Sequence, residues 1–388
     1  MAHARASYLR RSLSSVLAHR PDTVSRLGAS APASPWHPLP LFVSQDGDHV
    51  GVGRVAERCR ASHPDSVFHL RHPHEMLPGA GATMPPAHLR PYYYISAHYR
   101  RALAHLFDEL GFGSVIVLEE DLEIAPDFFE YFLAFGPLLH VDPSLLCVSA
   151  WNDHGEAGLA RDRRAVYRTD FFPGLGWMLV RRVWEELAPK WPAGFWDDWL
   201  REPAQRRGRT SLRPEVNRAV TFGRVGVSHG QFFEEHLRHM RLNDRAVPFL
   251  GLDTQWLVDS TAYEERFRRL VAAARPVSLD ALAALPAGSR HDGDIDPVIT
   301  NDGWPPLEPR AADLCVEYSD LDDYAVHCRA LGLQSDVRSG IPRASYLGVV
   351  VFHRGPSRVF LAPRSLTRGR GGSPDRASPS TGGPCPAP

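Results

Sequence analysis

The stretch Ser114-Val-Ile-Val-Leu-Glu-Glu-Asp-Leu-Glu-Ile-Ala-Pro-Asp127 decides how this 388-residue chain is read. Ser114 to Leu118 is a short apolar, β-branched run, the pattern of a buried strand. Glu119, Glu120 and Asp121 follow at once. Carboxylates gathered at the end of a buried strand repel one another and lose hydration unless a positive charge joins them. A divalent cation is the simplest partner, because hard cations take oxygen ligands. In open α/β sheets, ligands bind in the crevice beyond the carboxyl ends of the strands. The stretch therefore predicts an acidic, metal-assisted site at a strand end. On spacing alone an alternative stands, in which three acids merely open a solvated turn. Pro126–Asp127 reads as a helix start, where an acid suits the N-terminus.

Working outward, Ser7 to His19 carries Leu9, Leu13, Val16 and Leu17 at helical spacing. Pro40 to Asp46 reads as a buried strand, Val50 to Ala61 as a helix, and Phe68 to Arg71 as a short strand. Tyr93 to Leu110 reads as an amphipathic helix carrying His98. Strands alternating with helices predict an α/β chain whose mostly parallel sheet has helices on both faces. Gly223 to Gly230 is Gly-rich and polar, hence a loop. From Tyr263 a smaller α+β domain is expected, with helices near Glu264–Ala274 and Leu321–Leu331. Its strands are expected near Leu314–Tyr318, Leu347–Phe352 and Ser357–Leu361. The expected division is a catalytic domain over 1–223, a lid loop and linker over 224–262, a C-terminal domain over 263–363, and a disordered Ser/Gly/Pro/Arg-rich tail over 364–388.

Composition narrows the function classes. The chain has 43% hydrophobic and 23% charged residues, an ordinary globular balance that is long enough for two domains. A net charge of −1 gives no sign of nucleic acid or of a polybasic membrane patch. No apolar run reaches the ~18–20 residues of a membrane span, and no secretory h-region follows Met1. The five cysteines, Cys59, Cys147, Cys315, Cys328 and Cys385, show no metal-finger spacing.

Five further motifs occur in order: Ser149-Ala-Trp-Asn-Asp153, Tyr167-Arg-Thr-Asp-Phe-Phe-Pro-Gly-Leu-Gly-Trp177, Lys190-Trp-Pro-Ala-Gly-Phe-Trp-Asp-Asp-Trp199, Arg213-Pro-Glu-Val216 and Gly223-Arg-Val-Gly-Val-Ser-His-Gly-Gln-Phe-Phe233. Together with the acidic stretch they resemble the N-acetylglucosaminyltransferase I family, from about Arg5 to Pro363. The resemblance implies a GT-A-type nucleotide-sugar-binding fold and inverting transfer of GlcNAc from UDP-GlcNAc to the 2-hydroxyl of a mannose. It implies Mn²⁺ as the metal, a mannose-terminated N-glycan on glycoproteins as the acceptor, and the Golgi as the compartment. The family is membrane-anchored, and no anchor is visible here. Alternatives are a relative acting on O-linked mannose, or an inactive remnant that binds glycans or partners.

The resemblance also assigns residues. Asp121 is implied as the metal ligand, Glu120 as a nucleotide-sugar contact where the family has Asp, and Glu119 as the acid beside the sugar. Asp46 is implied to bond the uracil, with Arg5 and His98 against the nucleotide. Val227 and Ser228 belong to the loop over the diphosphate. Gly174 and Gly176 are expected to let backbone approach the sugar. Asp197 is implied as the general base, with Asp198 expected to be the helix N-cap. Arg201, Arg209 and Arg224 are candidates for holding the lid region, although Arg201 also reads as a surface arginine. The positions of two family disulfides are taken here by His3 with Gly47 and by Cys147 with Ser211. The family's first apolar strand would precede Arg5, where Met1–Ala4 stands, so a vacant strand position is expected in the nucleotide-binding sheet.

Overall fold

The computed structural model describes residues 1–20, 39–77, 84–227, 233–286, 309–310 and 312–367. Helix α1 (Ala6–His19) buries Leu9, Ser12, Leu13 and Val16, the face set by their helical spacing. Strand β1 (Leu41–Asp46), α2 (Val50–Ser62) and β2 (Val67–His72) follow, and β1 pairs with β2 in parallel from Leu41–Val67 to Asp46–His72. Helix α3 (Arg90–Ala104) opens with Pro91 in its first turn, where no helical N–H is needed. Strand β3 (Ser114–Val117) stops short of the acidic turn, which leads into β4 (Leu122–Ile124), α4 (Phe128–Phe135) and α5 (Leu138–Val141).

The middle of the chain gives β5 (Leu145–Ser149), β6 (Val166–Thr169), β7 (Trp177–Val180), α6 (Arg181–Leu187), α7 (Trp196–Arg201), α8 (Pro203–Arg206), β8 (Thr210–Pro214) and β9 (Ala219–Thr221). The central sheet runs β3-β7-β5-β8-β6, and β4 pairs with β9 as a separate ribbon. Only β5–β8 is parallel in the central sheet; β3–β7, β5–β7 and β6–β8 are antiparallel. The α/β class is as expected, while parallel pairing has a smaller share than expected. Buried strands lose their alternation whichever way they run, so β5, β6 and β7, buried at every position, carried no sign of direction.

The last part contains α9 (Ser260–Ala273), β10 (Arg275–Pro276), α10 (Leu279–Ala283), β11 (Leu314–Tyr318), α11 (Leu321–Leu331), β12 (Val337–Arg338), β13 (Ile341–Pro342), β14 (Val350–Arg354), β15 (Ser357–Pro363) and α12 (Arg364–Thr367). Its sheet runs β10-β11-β15-β14. Asp259 caps α9 and Asp320 caps α11 through backbone amides, and Gly332 (φ +73°) ends α11 in the left-handed region. The tail expected to lack structure from 364 begins instead with the helical turn α12, and its remainder lies outside the described residues. Tyr263, Phe267, Tyr346 and Phe360 join the main core, and Leu282, Val316, Tyr324 and Phe352 belong to a second cluster.

One sequence reading is corrected in detail. Asp127 does precede α4, but its carboxylate makes no cap bond. It accepts from Arg218 Nη2 at 3.0 Å and Asn243 Nδ2 at 2.9 Å, deep in the core. A buried guanidinium without a partner would cost several kcal/mol, about an order of magnitude more than a helix dipole returns at an exposed site. Cys147 Sγ lies 3.2 Å from Ser211 Oγ, so these two positions do meet, joined by a hydrogen bond.

Helices α1 and α2 with β1 and β2 enclose a small core of Ala2, Leu9, Leu13, Val43, Val52, Val55, Ala56 and Val67. Among the described residues, β1 has no strand partner beyond β2 and β3 none beyond β7. The free edges of both line one apolar slot of 440 Å³, together with Leu13, Leu103 and Met178. Only its rim is bridged. Ala2 N donates to Ser44 O at 2.8 Å, Asp46 N donates to Ala2 O at 2.8 Å, and the Met1 ammonium donates to Leu118 O at 2.8 Å.

At roughly 24 cal/mol per Å³ of cavity, filling the slot would return at most about 10 kcal/mol. Ordering five residues takes back about 1–2 kcal/mol each, which leaves at most about 5 kcal/mol. A five-residue Val/Ile-rich extension ahead of Met1 is therefore expected to raise Tm by several degrees. Thermal melts of the two chains check this, and equal midpoints would refute it.

Candidate functional site

The acidic turn stands at the carboxyl end of β3, closed by Leu122 N donating to Glu119 O at 3.3 Å. Its three side chains diverge. Glu119 accepts from the Tyr99 hydroxyl at 2.7 Å. Desolvation and the neighbouring Asp121 charge push its carboxyl well above the ordinary range. Buried Glu120 accepts from Arg5 Nε at 2.7 Å and from the His3 amide at 3.0 Å. Asp121 accepts from Arg5 Nη1 at 2.9 Å, and its backbone oxygen accepts from Phe222 N at 3.0 Å.

Arg5 is positioned as the N-cap residue of α1. Besides the two carboxylates it donates to Val225 O at 2.8 Å, tying the segment after β9 to the acidic turn. Gly223 is required there: a Cβ at this position would lie 2.3 Å from Asp121 Oδ2. Val227 is the last described residue before the gap in the loop, and Ser228 lies outside the described residues.

The adjacent strand end carries Asp46, buried at the end of β1. His74 Nδ1 sits 2.6 Å from Asp46 Oδ2, while Oδ1 has no hydrogen-bond partner among the described residues. Burial raises the Asp46 carboxyl, opposed by the bond to His74. His98 on α3 is buried with Nε2 at 2.8 Å from Ser44 Oγ, two residues before Asp46. Burial holds its imidazole well below the usual histidine range, which keeps it neutral.

Asp197 lies in the first turn of α7 with its side chain 42% exposed, open to an incoming group. Arg201 Nη1 bonds Asp197 Oδ2 and Asp198 Oδ1, each at 2.9 Å, and Arg201 Nε donates to Phe172 O at 3.2 Å. Asp198 is not the N-cap: Phe195 holds that position in the left-handed region (φ 52°), with no side-chain cap bond. Gly194 permits the approach, since a Cβ there would meet the Tyr93 ring at 2.9 Å. Trp196 stacks on Tyr99 at 4.2 Å, so one aromatic contact joins the Asp197 helix to the residue that holds Glu119.

Arg201 is buried rather than a surface arginine, and it positions the aspartate pair. Arg209 makes a two-pronged pair with Glu186 at 2.9 and 3.0 Å and is structural. The Arg224 backbone N lies 3.4 Å from the Tyr8 hydroxyl, and its guanidinium covers Phe233 at 5.0 Å. Gly174 (φ +72°) and Gly176 (φ +78°) hold left-handed conformations, and a Cβ on Gly176 would crowd Ala219 at 3.1 Å. Sequence reasoning missed Tyr99, His74 and the Asp153–Arg343 pair at 2.9 Å. Tyr99 had one signal, its place beside His98 on an amphipathic helix. The others have no local pattern.

A model of the GNT-I family matches residues 1–371. A relative from Arabidopsis thaliana, described as alpha-1,3-mannosyl-glycoprotein 2-beta-N-acetylglucosaminyltransferase, is 37% identical over 362 residues, covering 93% of this chain and 72% of its own. Among solved structures, a mannosyltransferase from Pyrobaculum calidifontis in complex with GDP-Man and Mn²⁺ aligns with a TM-score of 0.34 at 15% identity. That alignment covers 61% of each chain.

The loop after β5 carries an acid-labile element. Buried His154 has no hydrogen-bond partner at either ring nitrogen among the described residues, and burial lowers its pKa to about 3 from 6.5. Unfolding frees it to take a proton at pH 6.5, so its neutral burial costs nothing above that pH. The stability is lost progressively as pH falls from 6.5 toward 3, by on the order of a few kcal/mol at pH 4. His154→Leu is expected to flatten this part of the Tm-against-pH curve. An unchanged slope would refute the assignment.

Proposed function

Because the chain belongs to the GNT-I family, we propose that it is an inverting glycosyltransferase moving GlcNAc from UDP-GlcNAc to the 2-hydroxyl of an α1,3-linked mannose. The observation that carries this reading is the Arg5-bridged pair Glu120–Asp121 at the end of β3. A guanidinium seated across both carboxylates marks a place built for positive charge, and their hard oxygens suit Mn²⁺. Asp121 would hold the ion directly, with Glu120 beside it. When bound, the ion neutralises charge growing on the departing diphosphate.

The chain's own residues supply the rest. Asp46 accepts from the uracil through its unpartnered Oδ1, and neutral His98 backs the nucleoside from α3. Arg5 with Val227 and Ser228 takes the diphosphate side, where a lid limits loss of donor to water. Glu119 lies beside the sugar. Asp197 accepts the proton of the attacking hydroxyl. Arg201 fixes the direction of its carboxylate, and Trp196 forms an apolar wall beneath. The acceptor is a mannose-terminated N-glycan and the compartment the Golgi lumen. No helix among the described residues is long and apolar enough to cross a membrane.

Asp121→Ala is expected to abolish Mn²⁺-dependent UDP binding. Calorimetry finding the same Mn²⁺-dependent affinity would remove Asp121 from the metal site. Asp197→Asn keeps the bond to Arg201 but cannot take a proton at neutral pH. It should cost about 10²–10⁴-fold in turnover while donor affinity stays near wild type. Asp198→Asn should be mild. Turnover of the two variants on one mannosyl acceptor checks the pair, and a larger loss at Asp198 would move the base to that residue.

A further inference from the structure

Beside the acidic turn, three side chains from three separate elements converge: His3 from the N-terminal stretch, Asp46 from the end of β1, and His74 from the loop after β2. One potential ligand atom from each lies within 4.8 Å of the other two. His74 Nδ1 is 2.6 Å and His3 Nδ1 3.6 Å from Asp46 Oδ2. We propose that His3, Asp46 and His74 form a second cation site, separate from the acidic turn and suited to a borderline transition metal such as Zn²⁺.

The donor set favours this class of ion. Two imidazole nitrogens and one carboxylate oxygen suit zinc, nickel or copper, whereas Mg²⁺ and Mn²⁺ favour all-oxygen sites. With metal–ligand bonds of about 2.0–2.1 Å and tetrahedral angles, ligand atoms stand roughly 3.3 Å apart. The 2.6 Å pair must open and the 3.6 Å pair must close, each by less than about 1 Å, and His3 Nδ1 must exchange its contact with Asp46 O at 3.0 Å for the ion.

The three groups are held from outside. His3 is fixed by its amide on Glu120 and by the Ala2 bonds to β1. His74 is sandwiched, with the His3 ring at 4.5 Å on one side and Tyr94 at 3.9 Å on the other. Asp46 is buried, and its Oδ2 is the oxygen that faces both histidines. The histidine side chains are 50% and 37% exposed, which leaves an entry path and room for a water ligand.

One consequence rests on the reading of Asp46 as the uracil acceptor: an ion held here competes with the donor's base. The first experiment needs no activity. Zn²⁺ alone is titrated by calorimetry into the metal-stripped chain, with Asp121→Ala, His3→Ala and His74→Ala alongside. One Zn²⁺ site is expected in the wild type and in Asp121→Ala, weakened at least about tenfold in each histidine variant. Cu²⁺ in place of Zn²⁺ should give an electron-spin signal with two imidazole nitrogens, falling to one in either single variant. No Zn²⁺ binding by the wild type, or equal binding when both histidines are alanine, overturns the site. UDP is then titrated with Mn²⁺ at saturating Zn²⁺. Weakened UDP binding supports both assignments. Unchanged UDP binding on a Zn²⁺-loaded chain leaves the cation site standing and overturns the placement of uracil on Asp46.

Discussion

Arg5 carries the charge balance on which the site depends. The acidic turn places Glu119, Glu120 and Asp121 on consecutive residues, and the fold brings no second arginine onto Glu120 or Asp121 among the described hydrogen bonds. The guanidinium is 28% exposed, so each ion pair is screened to some degree. The larger effect is the desolvated charge that Glu120 would keep without it. Because Arg5 starts α1, this requirement also fixes where that helix sits. Ser15 Oγ accepts from Ile124 N at 3.0 Å farther along, so α1 is laid along the acidic segment by polar contacts. The bond to Val225 O extends the same constraint to the segment after β9.

Much of the fold was legible where one face of an element is buried. Helices α1, α2 and α11 carry their period in the residues themselves, and with strands β1, β2 and β11 they lie within a residue or two of their expected bounds. Strand direction in the central sheet was not legible, because β5, β6 and β7 are covered on both faces. At the site, the acidic turn was visible as carboxylates following an apolar run, while Asp46 entered through the family resemblance. His98 and Asp197 came through the family resemblance.

What could not be read is partnership across long sequence separations. Tyr99 meets Glu119 within 20 residues, but His74 meets Asp46 across 28 and Arg343 meets Asp153 across 190. No period links such pairs. The misread cap has a different cause. Phe195 adopts a left-handed conformation that a bulky residue rarely takes, so α7 starts before the two aspartates. That single backbone angle turns Asp197 and Asp198 from capping residues into a pair shared by Arg201.

The split between β1 and β3 bears on how tightly any nucleotide can be held. The lobe of α1, β1, α2 and β2 has its own core of eight small or medium side chains, and it meets the main sheet across a slot rather than through a continuous ladder. As a class, elements with few backbone bonds across a seam open below the cost of global unfolding and exchange their amides sooner than central strands. Asp46, His3 and Arg5 ride on that lobe, while Glu119, Glu120 and Asp121 belong to the main body. A ligand touching both must first find them docked. Its apparent affinity is therefore its intrinsic affinity multiplied by the docked fraction, and whatever braces the seam tightens binding without touching the ligand.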